Sequence, residues 1–90
     1  MTMSNNGLTK LIEECGELTQ IAAKKIAYPD TDAHPDGNGS MKLRLEDEIA
    51  DVMAAIALVC DIYGLDGDRI LARGDQKREL FRKWHDNPDV

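Results

Sequence analysis

The chain has 90 residues, 42% apolar and 31% charged, with a net charge of -6 and a pI near 4.7. That length makes a single domain over 1–90, small enough that association is expected to supplement its core. The acid excess argues against nonspecific binding to nucleic acid or to an anionic membrane surface, and the longest apolar run, broken by Asp51 and Asp61 and ended by Gly64, is too short to span a bilayer.

Cysteine usage points the same way. Cys15 and Cys60 fall within predicted helices, with no C-x-x-C pair, no Cys/His zinc spacing and no evident secretory segment. Both are expected to be small core residues in a protein of the reducing cytoplasm. No repeat of solenoid type is present.

Taken in order, the chain opens with Ser4, Asn5 and Asn6, all good N-cap residues for a first helix. Apolar positions at Leu8, Leu11, Ile12, Cys15, Leu18, Ile21, Ala22 and Ile26 then predict an amphipathic helix over about 5–28. Pro29 ends it, because the residue before a proline is pushed out of the helical region. Gly16 costs this helix roughly 1 kcal/mol relative to alanine; a close approach by another group or a tolerated imperfection would each account for it.

Residues 29–40 are rich in proline, glycine, aspartate and asparagine and form a long loop with little to bury. Loops of this length serve as lids or binding segments, or else remain poorly ordered. His34 in this loop and His85 near the C-terminus read as surface residues rather than ligands.

A second helix is predicted over 41–63, with Ser40 as N-cap and Gly64 as a left-handed C-cap. From Ile49 to Tyr63 its only polar residues are Asp51 and Asp61, so it is apolar around nearly its whole circumference and calls for burial on several sides. Asp66 caps a third helix over about 67–85, which Asn87 and Pro88 terminate. Its apolar residues Ile70, Leu71, Leu80, Phe81 and Trp84 lie among Arg69, Arg73, Lys77, Arg78, Arg82 and Lys83. This basic charge is either a solvated face or a phosphate-facing surface opposite the acidic helices. The fold class is all-α: a small bundle of about three helices, with a four-helix-type core completed by oligomerisation.

Glu48 and Asp51 lie three residues apart, which on a helix stacks both carboxylates on one face beside apolar residues. Glu14 and Glu17 repeat that spacing on the first helix, with Glu13 one turn before Glu17. The helix 1 acids alone would read as an ordinary solvated face. Asp51 shifts the balance, because aspartate is a poor helix former with no packing benefit inside an apolar helix. If the two helices are antiparallel, Glu14, Glu17, Glu48 and Asp51 converge on one point. A carboxylate-only site of that kind suits a hard ion, Mg²⁺ or Mn²⁺.

The runs Glu13-Glu-Cys-Gly-Glu17 and Glu48-Ile-Ala-Asp51 resemble the paired E-E-x-x-E and E-x-x-D signature of the MazG-like, all-α nucleoside triphosphate pyrophosphohydrolases. The resemblance covers about residues 8–63. It implies Mg²⁺-dependent cleavage of a nucleoside triphosphate (NTP or dNTP) between its α and β phosphates, with Glu14, Glu17, Glu48 and Asp51 as metal ligands. Glu13 would be a further ligand through water, or the base that orients the attacking water. The family's phosphate-holding basic residues match loosely, with Lys24 and Lys77 as the candidates here. Its members form dimers or dimers of dimers, so a homodimer or homotetramer is expected. Two other readings stand beside this one: a non-enzymatic dimeric helical interaction module, and a metal-dependent phosphohydrolase acting on another phosphorylated substrate.

Overall fold

The computed structural model describes residues 6–34, 36–37 and 39–88. They form three helices, α1 (Asn6–Ala27), α2 (Met41–Tyr63) and α3 (Gly67–Asp86), with no β-strand among the described residues. The fold is all-α, as the periodicity predicts. Ser4 and Asn5, candidate caps for α1, lie outside the described residues, and Asn6 is already helical.

Local chemistry accounts for each boundary. The last turn of α1 is closed by Lys25, whose ammonium donates to the carbonyls of Pro29 (3.2 Å) and Thr31 (3.3 Å). The Ser40 hydroxyl accepts from the Leu43 amide at 3.2 Å to cap α2. Asp32 reinforces that end: its carboxylate accepts from the Lys42 amide at 2.9 Å and its carbonyl from the Met41 amide. The Ser40 hydroxyl and the Lys42 amide together hold the Asp32 carboxyl below its ordinary range. Gly64, at φ 62° and ψ 41°, ends α2 in the left-handed conformation that favours glycine. Asp66 caps α3 by accepting from the Arg69 amide at 3.0 Å.

Helices α1 and α2 form an antiparallel hairpin. Gly7 near the start of α1 lies against Val59 and Ile62 near the end of α2, so close that a Cβ on Gly7 would come within 2.9 Å of the Ile62 side chain. The seam on α1 runs through Gly7, Leu11, Glu14, Leu18 and Ile21, and on α2 through Met41, Leu45, Glu48, Val52, Ala55 and Val59. Steps of three and four residues are those of two helices packed nearly in line. Two of the seam positions are glutamates.

This seam differs from the stripe read from the sequence. Ile12, Cys15 and Ile26 are exposed and Cys60 is only half-buried, so neither cysteine is a core residue of the chain. Gly16 has nothing within 4 Å of where its Cβ would stand, which excludes a close approach as its explanation within the chain. Helix α2 buries only Met41, Ala55 and Val59, and α3 buries no residue and scarcely touches the hairpin. The molecule is accordingly flat, 44 × 36 × 18 Å, with a radius of gyration of 16.0 Å against the roughly 12 Å of a compact domain of this length.

Met41 is the most buried side chain, 1% exposed, where the loop, α1 and α2 meet. Met41→Ala is expected to cost about 2–5 kcal/mol of unfolding free energy, read as a lower midpoint in denaturant titration with an unchanged slope.

Candidate metal centre and adjoining cleft

The hairpin brings Glu14 and Glu17 of α1 against Glu48 and Asp51 of α2. Each offers a carboxylate oxygen, and the four oxygens lie within 4.8 Å of one another. The convergence expected from the doubled three-residue spacing is therefore present. Glu14 and Glu48 reach it from the seam itself, while Glu17 and Asp51 stand one turn further on and close the group from its rim.

The burial differs from expectation in one respect. Asp51, expected to be a buried charge, is exposed, whereas the Glu14 side chain is only 9% exposed. The seam geometry explains the exchange, because Glu14 lies in the seam while Asp51 stands at its open rim, beside Lys10 and Glu14. The Oε2 atoms of Glu14 and Glu48 are both buried without a hydrogen-bond partner. Two orphaned carboxylate oxygens beside two further carboxylates are strongly unfavourable unless a cation meets them. The donor set, oxygen only and fourfold anionic, fits a hard divalent ion.

Proton affinity reflects the crowding. Glu17 is held above the ordinary carboxylate range, chiefly by the Glu14 charge, then by partial desolvation and by Glu48. On the outer edge, the Lys10 ammonium lies 3.1 Å from Glu14 Oε1 and 3.5 Å from Glu13 Oε1. The Glu14 contact, followed by the charge of Glu13, raises the Lys10 pKa above its usual value. Glu13 is exposed and stands outside the four-carboxylate group, joined to it only through Lys10.

The carboxylates separate two hollows. On one side is a cleft of about 410 Å³ lined by Glu17, Gln20, Ile21, Lys24, His34, Arg44, Asp47 and Glu48. On the other, Lys10, Glu14 and Asp51 share a hollow of about 390 Å³ with Ala54, Ala55 and Leu58. Lys24 thus lines the cleft beside Glu17 and Glu48. Lys77 does not, since it lies on α3 in a separate hollow with Phe81 and His85.

Arg44 of the cleft went unread in the sequence, and His34 was misplaced. Arg44 stands four residues before Glu48, one turn along the same face, a signal the spacing does contain. His34, expected at the surface, is buried at 4% exposure, because the loop folds back over α1 and α2. Its Nδ1 lies 2.8 Å from Asp36 Oδ1 and 3.1 Å from the Asp36 amide nitrogen, and its Nε2 lies 3.5 Å from Lys24 Nζ. The Asp36 amide donates to Nδ1, so the ring is tied to Asp36 on one side and faces the Lys24 ammonium on the other. Asp36 Oδ2 also meets Arg44 Nη2 at 3.2 Å. Lys24, His34, Asp36 and Arg44 therefore form one chain of contacts along the rim, holding two cations at the cleft.

No protein-family model, no curated protein and no solved structure matches this chain.

The raised pKa of Glu17 fixes the sign of a pH dependence. Its contribution to stability is complete below the ordinary carboxylate range and is lost as pH rises through its raised value. Metal-free Glu17→Gln is therefore expected to melt above the unaltered protein at neutral pH, with the difference closing as pH falls to about 4; thermal melts across that range check it.

Proposed function

We propose that the chain is a Mg²⁺-dependent nucleoside triphosphate pyrophosphohydrolase of MazG-like type, converting an NTP or dNTP and water to the monophosphate and pyrophosphate. The observation that carries this reading is the pair of orphaned, buried carboxylate oxygens on Glu14 and Glu48, facing Glu17 and Asp51 beside a cleft that holds Lys24 and Arg44. An interaction module whose acids serve solubility would keep those oxygens in water.

Glu14, Glu17, Glu48 and Asp51 would hold the ion, with Mn²⁺ as a substitute for Mg²⁺. When bound, Mg²⁺ neutralises triphosphate charge and lowers the pKa of a coordinated water. The chain's own residues supply the remainder. Lys24 and Arg44 bind phosphate oxygens, Arg44 by partly exchanging its Asp36 contact for them. Glu13, exposed and beside the cluster, accepts the proton of the attacking water or holds that water in place. An acidic protein can bind a polyanion here because the four carboxylates are matched by metal and the far side of the cleft by basic side chains.

Assembly belongs to the same proposal. Met53, Ile56, Leu58 and Ile62 on α2 are all exposed, as are Ile70, Leu71, Phe81 and Trp84 on α3. Apolar surface of that extent is rare in soluble monomers. A homodimer with α2 packed on its own copy about a two-fold axis, or a dimer of such dimers, would cover it and complete a four-helix core. Helix α3 carries six basic against four acidic residues in a chain of net charge -6, so Lys77 would reach a site only as a contribution between subunits. Two free thiols and no helix long and apolar enough to cross a membrane, among the described residues, accord with a cytoplasmic enzyme.

A nucleotide panel assayed with and without Mg²⁺ tests the activity. Pyrophosphate release only with the ion is expected, whereas orthophosphate as the sole product would transfer the site to another phosphohydrolase reaction. Asp51→Asn is expected to lower kcat/KM on the order of 100-fold or more while leaving the metal-free fold as stable or more so, since it relieves like-charge repulsion rather than a buried charge. Ile56→Asp is expected to dissociate the assembly and reduce activity together, read by light scattering and the same assay.

A further inference from the structure

Among the described residues the four carboxylates have one protein cation in contact, the Lys10 ammonium, and it reaches only Glu14, through Oε1. The second oxygen of Glu14 is buried and unpartnered. The Glu14 side chain is nine-tenths buried, yet the Lys10 side chain that meets it is 52% exposed. Lys10 therefore approaches from solvent, on a flexible stem, along the hollow that it shares with Glu14 and Asp51. It lies three residues before Glu13 and four before Glu14, so the helix itself delivers it to both.

One monovalent ammonium cannot balance this group, and a divalent ion that takes up Glu14 competes with it for the same carboxylate and weakens its hold. Leaving is easy for it, since half of its side chain is already in water. We propose that Lys10 is a tethered counter-ion of the metal centre: it holds Glu14 in the metal-free protein and is released to solvent when a divalent cation binds. This rests on the metal-centre reading above and assigns a positioning role, acting through Glu14, to a residue outside the ligand set.

The exchange has a direct chemical readout. Held against Glu14 and Glu13, the Lys10 amine is shielded on one side from an acylating reagent, and released it is open to solvent on all sides. The protein is labelled briefly with an amine-acetylating reagent, with and without saturating Mn²⁺, and modification of each lysine is read by peptide mass spectrometry. In parallel, Mn²⁺ binding to the unaltered protein and to Lys10→Met, which keeps the apolar stem, is measured by calorimetry. The expected result is a several-fold rise in Lys10 labelling with Mn²⁺, no comparable rise at exposed Lys83, and several-fold tighter Mn²⁺ binding by Lys10→Met. If Mn²⁺ binds but Lys10 labelling stays the same or falls, the exchange is overturned whatever the variant's affinity, and the metal centre stands. If Mn²⁺ binds neither protein, the metal centre fails and the exchange fails with it.

Discussion

The structure depends on a repulsion that its own packing creates. Glu14 and Glu48 occupy positions in the α1–α2 seam that apolar side chains would ordinarily fill, and each leaves one oxygen buried without a partner. Glu17 and Asp51 add two more negative charges within 4.8 Å. Apolar packing on either side, with Gly7 against Val59 and Ile62 at one end and buried Ile21 and Met41 towards the other, clamps the helices together across this group. The hairpin is thus held by its ends and strained by its middle, and the strain is of the one kind that a hard cation relieves.

What aligns the two acid pairs is the turn region at the loop end of the hairpin. Asp32 and Ser40 together satisfy the first amides of α2, fixing where that helix begins relative to the end of α1. Met41, driven into the core at the same point, prevents α2 from rotating or sliding. Seven residues from Met41 to Glu48 make two turns, which returns Glu48 to the seam. The same loop carries His34 under the rim, where Asp36 and Lys24 hold it, so the cations of the cleft and the carboxylates are set by one structural device.

Much of this was legible in the sequence, for reasons that are local. The limits of α2 at 41 and 63 follow from Ser40 and Gly64, which act within one turn of themselves. The convergence of the four carboxylates follows from matched spacing on two helices once they pack antiparallel. The seam was not legible, because its α1 half includes a glycine and a glutamate, while the stronger apolar letters Ile12 and Ile26 face away from α2. Hydropathy reports the total apolar surface a helix must cover, including surface that no other part of this chain covers. Arg44 was readable from its spacing to Glu48. His34 was not, since its burial depends on contacts with Lys24 and Asp36 and on the tie between Asp32 and the start of α2, rather than on the loop's own composition.

The central question is whether the orphaned oxygens of Glu14 and Glu48 are metal ligands. Crystals grown with Mn²⁺ and measured for anomalous scattering locate the ion without reference to any activity. The account predicts an anomalous peak among Glu14, Glu17, Glu48 and Asp51, with oxygen distances of about 2.0–2.3 Å. A well-ordered site with no peak there, or with the Mn²⁺ bound elsewhere on the chain, would contradict it.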